Sequence, residues 1–285
     1  MITNQLKTVV LLGLLTALLL WVGQLIGGYN GLIFAGIFAL IMNFGSYWFS
    51  DKIVLIMYSA KEVTDTSHKL YKITKEVAEK AKIPMPKVYV IPSSIMNAFA
   101  TGRSKNHAAI AATEGIISRL DNDELKGVIA HEITHIKNKD ILISTIAGTI
   151  AGVISYVATM AQWAAIFGGF GGRNRDGNNN ILSLLLLAIV TPIIASLIQL
   201  AISRSREYLA DAGGASILKD SSGLASALEK IENSVKNNPL RATATSEATS
   251  HLFIVNPFRA GAFASFFMTH PKTSERIKRL KDMKF

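Results

Sequence analysis

Hydrophobic positions are unevenly spread along this chain. Residues 8–50, 141–172 and 177–203 contain no Asp, Glu, Lys or Arg, and outside them the apolar residues thin out into periodic patterns. A helix needs about 20 apolar residues to cross the hydrocarbon core of a bilayer. The first run, 43 residues long and notched by "GGYN" at 27–30, predicts two such helices and a tight turn. It is too long for the apolar part of a cleaved signal peptide, which stops at about 15 residues. Each later run predicts one further helix, joined by "GGFGGRNRDGNNN" at 168–180, a loop whose glycines lack phosphate-loop spacing. Four spans divide the chain into a membrane hairpin (1–50), a soluble part (51–140), a second hairpin (141–203) and a second soluble part (204–285).

The soluble parts carry shorter periods. Residues 62–82 place Leu70, Ile73, Val77 and Ala81 at helical spacing, which predicts an amphipathic helix ended by Pro84 and Pro86. "KVYVIPS" (87–93), "NAFATG" (97–102) and "HAAIAAT" (107–113) are short, β-branched or small segments between turn residues, and predict a three-stranded sheet. A further helix starts at "DNDELKGVIAHEITHIKNKD", with Asp121 as cap and Glu124 three residues on completing a capping box. Residues 234–250 are polar and poor in aromatics, the composition of a loop. The expected fold is a mainly α integral membrane protein with four transmembrane helices and a small α+β domain.

Charge orients this arrangement. Lys and Arg collect on the cytoplasmic side of membrane proteins; residues 51–140 hold 14, residues 203–285 hold 13 and the 168–180 loop holds two. Both soluble parts are therefore expected in the cytoplasm. The net charge of +10 does not call for nucleic acid, because 11 acidic residues are mixed among the 14 basic ones of the first soluble part; anionic lipid headgroups suit the surplus better. The chain has no cysteine, which excludes disulfides and thiolate metal ligands.

The candidate chemistry lies beside the third apolar run. In "HEITH", His131 and His135 are four apart, so a helix puts them on one face about 6 Å apart, able to share one tetrahedral ion with Glu132 alongside. Zinc with three protein ligands keeps a position for water and acidifies it, and an adjacent carboxylate can take the proton. Alone, the motif also fits a surface helix with two histidines. After two spans the chain returns to the same face with "SRSREYLADAGGA" at 203–215. Glu207 there would be the third ligand, and Asp211, one turn on, could hold a ligand histidine by its other ring nitrogen; the alternative is a solvated helix end paired with Arg204 and Arg206. A transporter would need ionisable residues inside the spans, and the three runs have no carboxylates or basic groups.

Six blocks, "PKVYVIPS", "NAFATGR", "HEITHIKNKD", "SRSREYLADAGGA", "HLFIVNPF" and "THPKTSERI", in this order over about 200 residues, make the chain resemble the HtpX family of membrane zinc endopeptidases, relatives of the CaaX prenyl proteases. The resemblance covers essentially the full length. It implies a zincin-like (gluzincin) catalytic domain, one zinc ion on His131, His135 and Glu207, and Glu132 as base. It also implies a multi-pass protein of the prokaryotic inner membrane that cuts damaged or misassembled membrane proteins at the cytoplasmic face, in quality control and stress response. In that frame "NAFATG" would be an exposed edge strand to which an extended substrate adds, with Asn97, Ala98, Phe99 and Ala100 as contacts. His270 and Arg276 would stabilise an oxyanion, although His270 before Pro271 equally suits a helix start. A prenyl-protein processing protease, or a scaffold or chaperone with a structural metal site, are the alternatives; a structural zinc site would need a fourth protein ligand.

Overall fold

The computed structural model describes residues 2–142, 144–146, 204–239, 252–255 and 271–285. The expected third and fourth spans beyond Ile146, the 168–180 loop, most of the 234–250 loop and His270 lie outside the described residues.

Helix α1 (Ile2–Met57) takes up the whole first apolar run. A straight helix would separate Thr16 from Asn43 by about 40 Å, yet Asn43 Nδ2 donates to Thr16 Oγ1 at 2.7 Å. The chain doubles back between them at Gly28, whose φ of 54° is left-handed and open to glycine. The two arms touch where side chains are smallest, Gly23 against Gly31 and Ala35, and Gly36 against Leu20. Among the described residues one window, Gly28–Gly45, is long and apolar enough to cross a membrane, and its side chains are hardly buried by the protein.

The sheet has four strands rather than the expected three. Strands β1 (Lys61–Glu62), β2 (Lys87–Ile91), β3 (Ala98–Ser104) and β4 (His107–Thr113) lie in the order β1-β2-β4-β3. β1 and β2 are antiparallel, β2 and β4 parallel, β3 and β4 antiparallel. β1 is two exposed residues long, too short to carry an alternating pattern, which is why no periodicity announces it. Its presence also shortens the helix expected over 62–82. That helix, α2, runs from Lys69 to Ala81, capped by His68 Nδ1 accepting from the Leu70 N–H at 3.2 Å. Asp65 bonds Ser67 in a local turn before it, and Lys82 ends it in a left-handed conformation two residues ahead of Pro84.

β4 is buried on both faces. Ala108, Ile110 and Ala112 join a core with Leu70, Val77, Val128 and Ile133, whereas Ala109 and Ala111 face Val54, Leu55 and Phe99, the alternation a pleated strand requires. One face of the sheet thus carries helices, and the other packs on the end of α1. Beyond β4 come α3 (Glu114–Arg119) and α4 (Asn122–Lys137). The capping box of α4 forms as expected, Glu124 N–H to Asp121 Oδ1 at 2.9 Å and Asp121 N–H to Glu124 Oε2 at 3.0 Å. Helices α5 (Arg204–Leu218), α6 (Ser222–Asn237) and α7 (Thr273–Lys281) complete the described fold. α4 is packed by α2, α5 and α6, so its middle is buried almost all round.

Candidate metal centre

α4 presents His131, Glu132 and His135, and α5 approaches closely enough to complete the group. The approach depends on Gly213 and Gly214: a Cβ on Gly214 would lie 2.9 Å from the His131 backbone nitrogen, and one on Gly213 would lie 2.5 Å from Thr134 Cγ2. Glu207 Oε2 comes to 3.7 Å from His131 Nε2, Glu207 Oε1 to 3.6 Å from His135 Nε2, and the two Nε2 atoms stand 3.2 Å apart. Among the described residues these three form the one group with metal-ligand geometry.

The orientation of each imidazole is set from behind. His131 Nδ1 meets Asp211 Oδ1 at 2.9 Å, and His135 Nδ1 meets Asp140 Oδ2 at 3.4 Å. Each carboxylate is placed to accept a hydrogen bond from the Nδ1–H, which turns the two Nε2 atoms toward one another and toward the Glu207 carboxylate. Two ring nitrogens and a carboxylate that converge in a buried site make a place for a cation. Zinc–nitrogen and zinc–oxygen bonds of about 2.0–2.2 Å at tetrahedral angles hold ligand atoms roughly 3.3–3.6 Å apart; the two Nε2 atoms at 3.2 Å and the Glu207 oxygens at 3.6 and 3.7 Å, one facing each histidine, lie close to that span.

Arg276 forms the floor of the group. Its guanidinium is fully buried and grips Asp211 with both prongs, Nε to Oδ2 at 2.8 Å and Nη2 to Oδ1 at 2.7 Å. Nη1 reaches the Ile254 carbonyl at 3.0 Å and Glu207 Oε2 at 3.5 Å. Since His131 Nδ1–H is committed to Asp211, the 3.5 Å approach of Arg276 Nη2 to Nδ1 is a contact, not a second hydrogen bond. Arg276, expected to meet the substrate or its oxyanion, is thus buried on protein partners, gripping Asp211 and lying 3.5 Å from Glu207.

Glu132 is buried between α4 and the sheet, with Oε2 accepting the Ala100 N–H at 2.8 Å. β3 is an edge strand as expected, and the side away from β4 is bordered by Glu132 at Ala100 and by Thr145 Oγ1 at Gly102 N–H, 3.4 Å. Ala98, Phe99 and Ala100 have buried side chains, so what this strand offers is backbone. Asn97, expected as a substrate contact, is buried instead, its Nδ2 donating to the Leu252 carbonyl at 3.3 Å and its Oδ1 accepting from the Ile254 N–H at 3.2 Å.

With the protein groups alone, burial raises the Glu132 carboxyl above its ordinary value, opposed by His131 and His135. Burial works against a charge on His135, but the bond to Asp140 and the charges of Glu207 and Glu132 outweigh it and raise the ring to about 9. Burial likewise pushes Asp211 up, and Arg276 with His131 overcomes it, holding the carboxyl at about 2.

Similarity to known proteins agrees with this geometry. The description of peptidase family M48 matches residues 65–284. The chain belongs to this family. A protease HtpX homolog of Syntrophotalea carbinolica is 54% identical over 280 residues, covering 98% of this chain and 99% of its own. Another, of Pyrococcus furiosus, is 51% identical over 276 residues, covering 96% and 94%. The crystal structure of S. mikatae Ste24p superposes with a TM-score of 0.52 at 18% identity, over 99% of this chain and 66% of that one, which shows a shared fold. The M48 match runs through both halves of the metal group, on α4 and on α5.

Two partners in this M48 site escaped the sequence reading. Asp140 lies five residues after His135, outside the motif, where the chain turns; an acid just past a ligand helix was the available signal. The Ile254 carbonyl under Arg276 is a backbone group, which no residue type marks.

Proposed function

We propose that this chain is a membrane-anchored zinc endopeptidase, with His131, His135 and Glu207 as ligands. The observation that carries the reading is the convergence of two oriented imidazoles and a carboxylate close enough to share one ion. Zinc, when bound, supplies a Lewis acid that polarises the scissile carbonyl and acidifies the attacking water.

The chain's own groups do the rest. Glu132 takes the proton of the attacking water and delivers it to the leaving amine, a task suited to a carboxyl raised by burial. The Ala100 N–H aims that carboxylate. A substrate backbone adding to β3 beside Ala98–Ala100 would lie next to Glu132, so the strand that aligns the substrate also positions the base. Asp211, Asp140 and Arg276 are positioning residues. The uncharged runs and the Lys and Arg count support four spans with the catalytic parts in the cytoplasm, and a site next to the apolar runs suits membrane proteins that are damaged or misassembled.

The test is cleavage of a membrane-anchored reporter by the full chain, before and after chelation. Activity lost on chelation and restored by zinc supports the proposal. Cleavage that survives complete removal of metal sinks it.

A further inference from the structure

The end of the second arm of α1 is built differently from its middle. Phe44, Tyr47, Trp48 and Phe49 are all exposed and crowd the exit of the apolar window. At the other end of that arm stands exposed Tyr29, 19 residues before Trp48 and so about 28 Å away along the helix. That distance is the thickness of a hydrocarbon core, and exposed Tyr and Trp at both ends of a span mark its two interfaces. The rings at the soluble end carry cations: Lys52 Nζ lies 5.8 Å from the Phe49 ring centre, and the Arg103 guanidinium stacks 4.6 Å over Trp48 and reaches the Trp48 carbonyl at 3.4 Å.

Arg103 belongs to β3, three residues or about 10 Å beyond Ala100, whose N–H holds Glu132. The same end of β3 is tied to the start of the next apolar run, Thr101 Oγ1 to Thr145 Oγ1 at 3.1 Å. One strand end thus meets two membrane-entry points.

We propose that Trp48, Arg103 and Lys52 form a clamp for the phosphate of an anionic phospholipid headgroup, which seats the edge strand β3 on the bilayer surface. The proposal rests on the membrane-anchored reading. In this clamp the aromatic rings lie at headgroup depth, and the two cations, each beside a ring face, offer their remaining donors to the phosphate layer.

The test uses the full chain carrying Trp21→Phe and Trp163→Phe, so that Trp48 is the one fluorophore, in vesicles containing brominated phosphatidylglycerol or brominated phosphatidylcholine. The clamp predicts stronger quenching of Trp48 by phosphatidylglycerol, a preference of roughly fivefold per cation. Arg103→Gln with Lys52→Gln should abolish the preference while quenching by phosphatidylcholine stays, and Arg103→Lys should retain it. Equal quenching by both lipids would overturn the clamp and leave the membrane reading intact. Quenching by neither would overturn the membrane reading itself.

Discussion

Removing the Asp211 carboxylate would strip His131 of its Nδ1 acceptor and leave the Arg276 charge buried without its bidentate partner. Asp211→Asn is therefore expected to lower zinc affinity by roughly 10- to 100-fold and to destabilise the fold by about 3–5 kcal/mol, read by competition with a chromophoric chelator and by thermal unfolding. His135 makes a pH prediction. Its metal-free value of about 9 exceeds the unfolded value of about 6.5, so its charge contributes stability that is full below about pH 6.5 and lost as pH rises through 9. Zinc requires the neutral ring, so apparent affinity should fall by about tenfold per pH unit between 9 and 6.5, and Asp140→Asn should move that window down. A flat zinc affinity across this range would contradict the assignment. At this scale the candidate group of His131, His135 and Glu207, which the structure brings together, was legible because histidines four apart on a helix and a carboxylate on the returning helix are chemistry written in spacing. The burial of Asn97 and Arg276 on protein partners was not legible, because their type announces hydrogen bonding without saying whether a substrate or the protein receives it.

Among the elements, α4 and α5 must lie nearly in contact for Glu207 to reach the histidines. Gly214→Ala would set a Cβ against the His131 backbone; the expected cost is about 1–3 kcal/mol with a matching loss of zinc affinity. Gly45→Ala, where nothing lies within 4 Å of the added carbon, should change neither, and equal effects of the two substitutions would argue that the glycine contact is incidental. The longer elements could be read from the sequence: the helix-period core of α2, the capping box of α4, and the β-branched or small segments between turn residues that became β2 to β4. β1 could not, since two exposed residues are too few to show a period, although Glu62 pairs with Lys87 and Tyr89 of β2 by its side chain as well as its backbone. The start of α2 was placed too early because the Asp65 turn competes locally with helix.

For the whole molecule, the apolar arms of α1 continue into a helix end that packs on the sheet through Tyr58 and Phe99, ring centres 5.3 Å apart. The metal group is thereby tied to the apolar segment by continuous structure, an arrangement that charge-free runs and motif order already implied. It predicts that cleavage positions in a membrane-anchored substrate, mapped by mass spectrometry, cluster in the segment leaving the bilayer; cuts spread evenly through distant soluble domains would count against it. The most direct check of the central claim compares the wild-type chain with Glu132→Gln, both zinc-loaded, on one membrane-anchored reporter with zinc content measured in each. The account predicts equal zinc and a loss of at least about 100-fold in cleavage for Glu132→Gln; undiminished cleavage at equal zinc would contradict it.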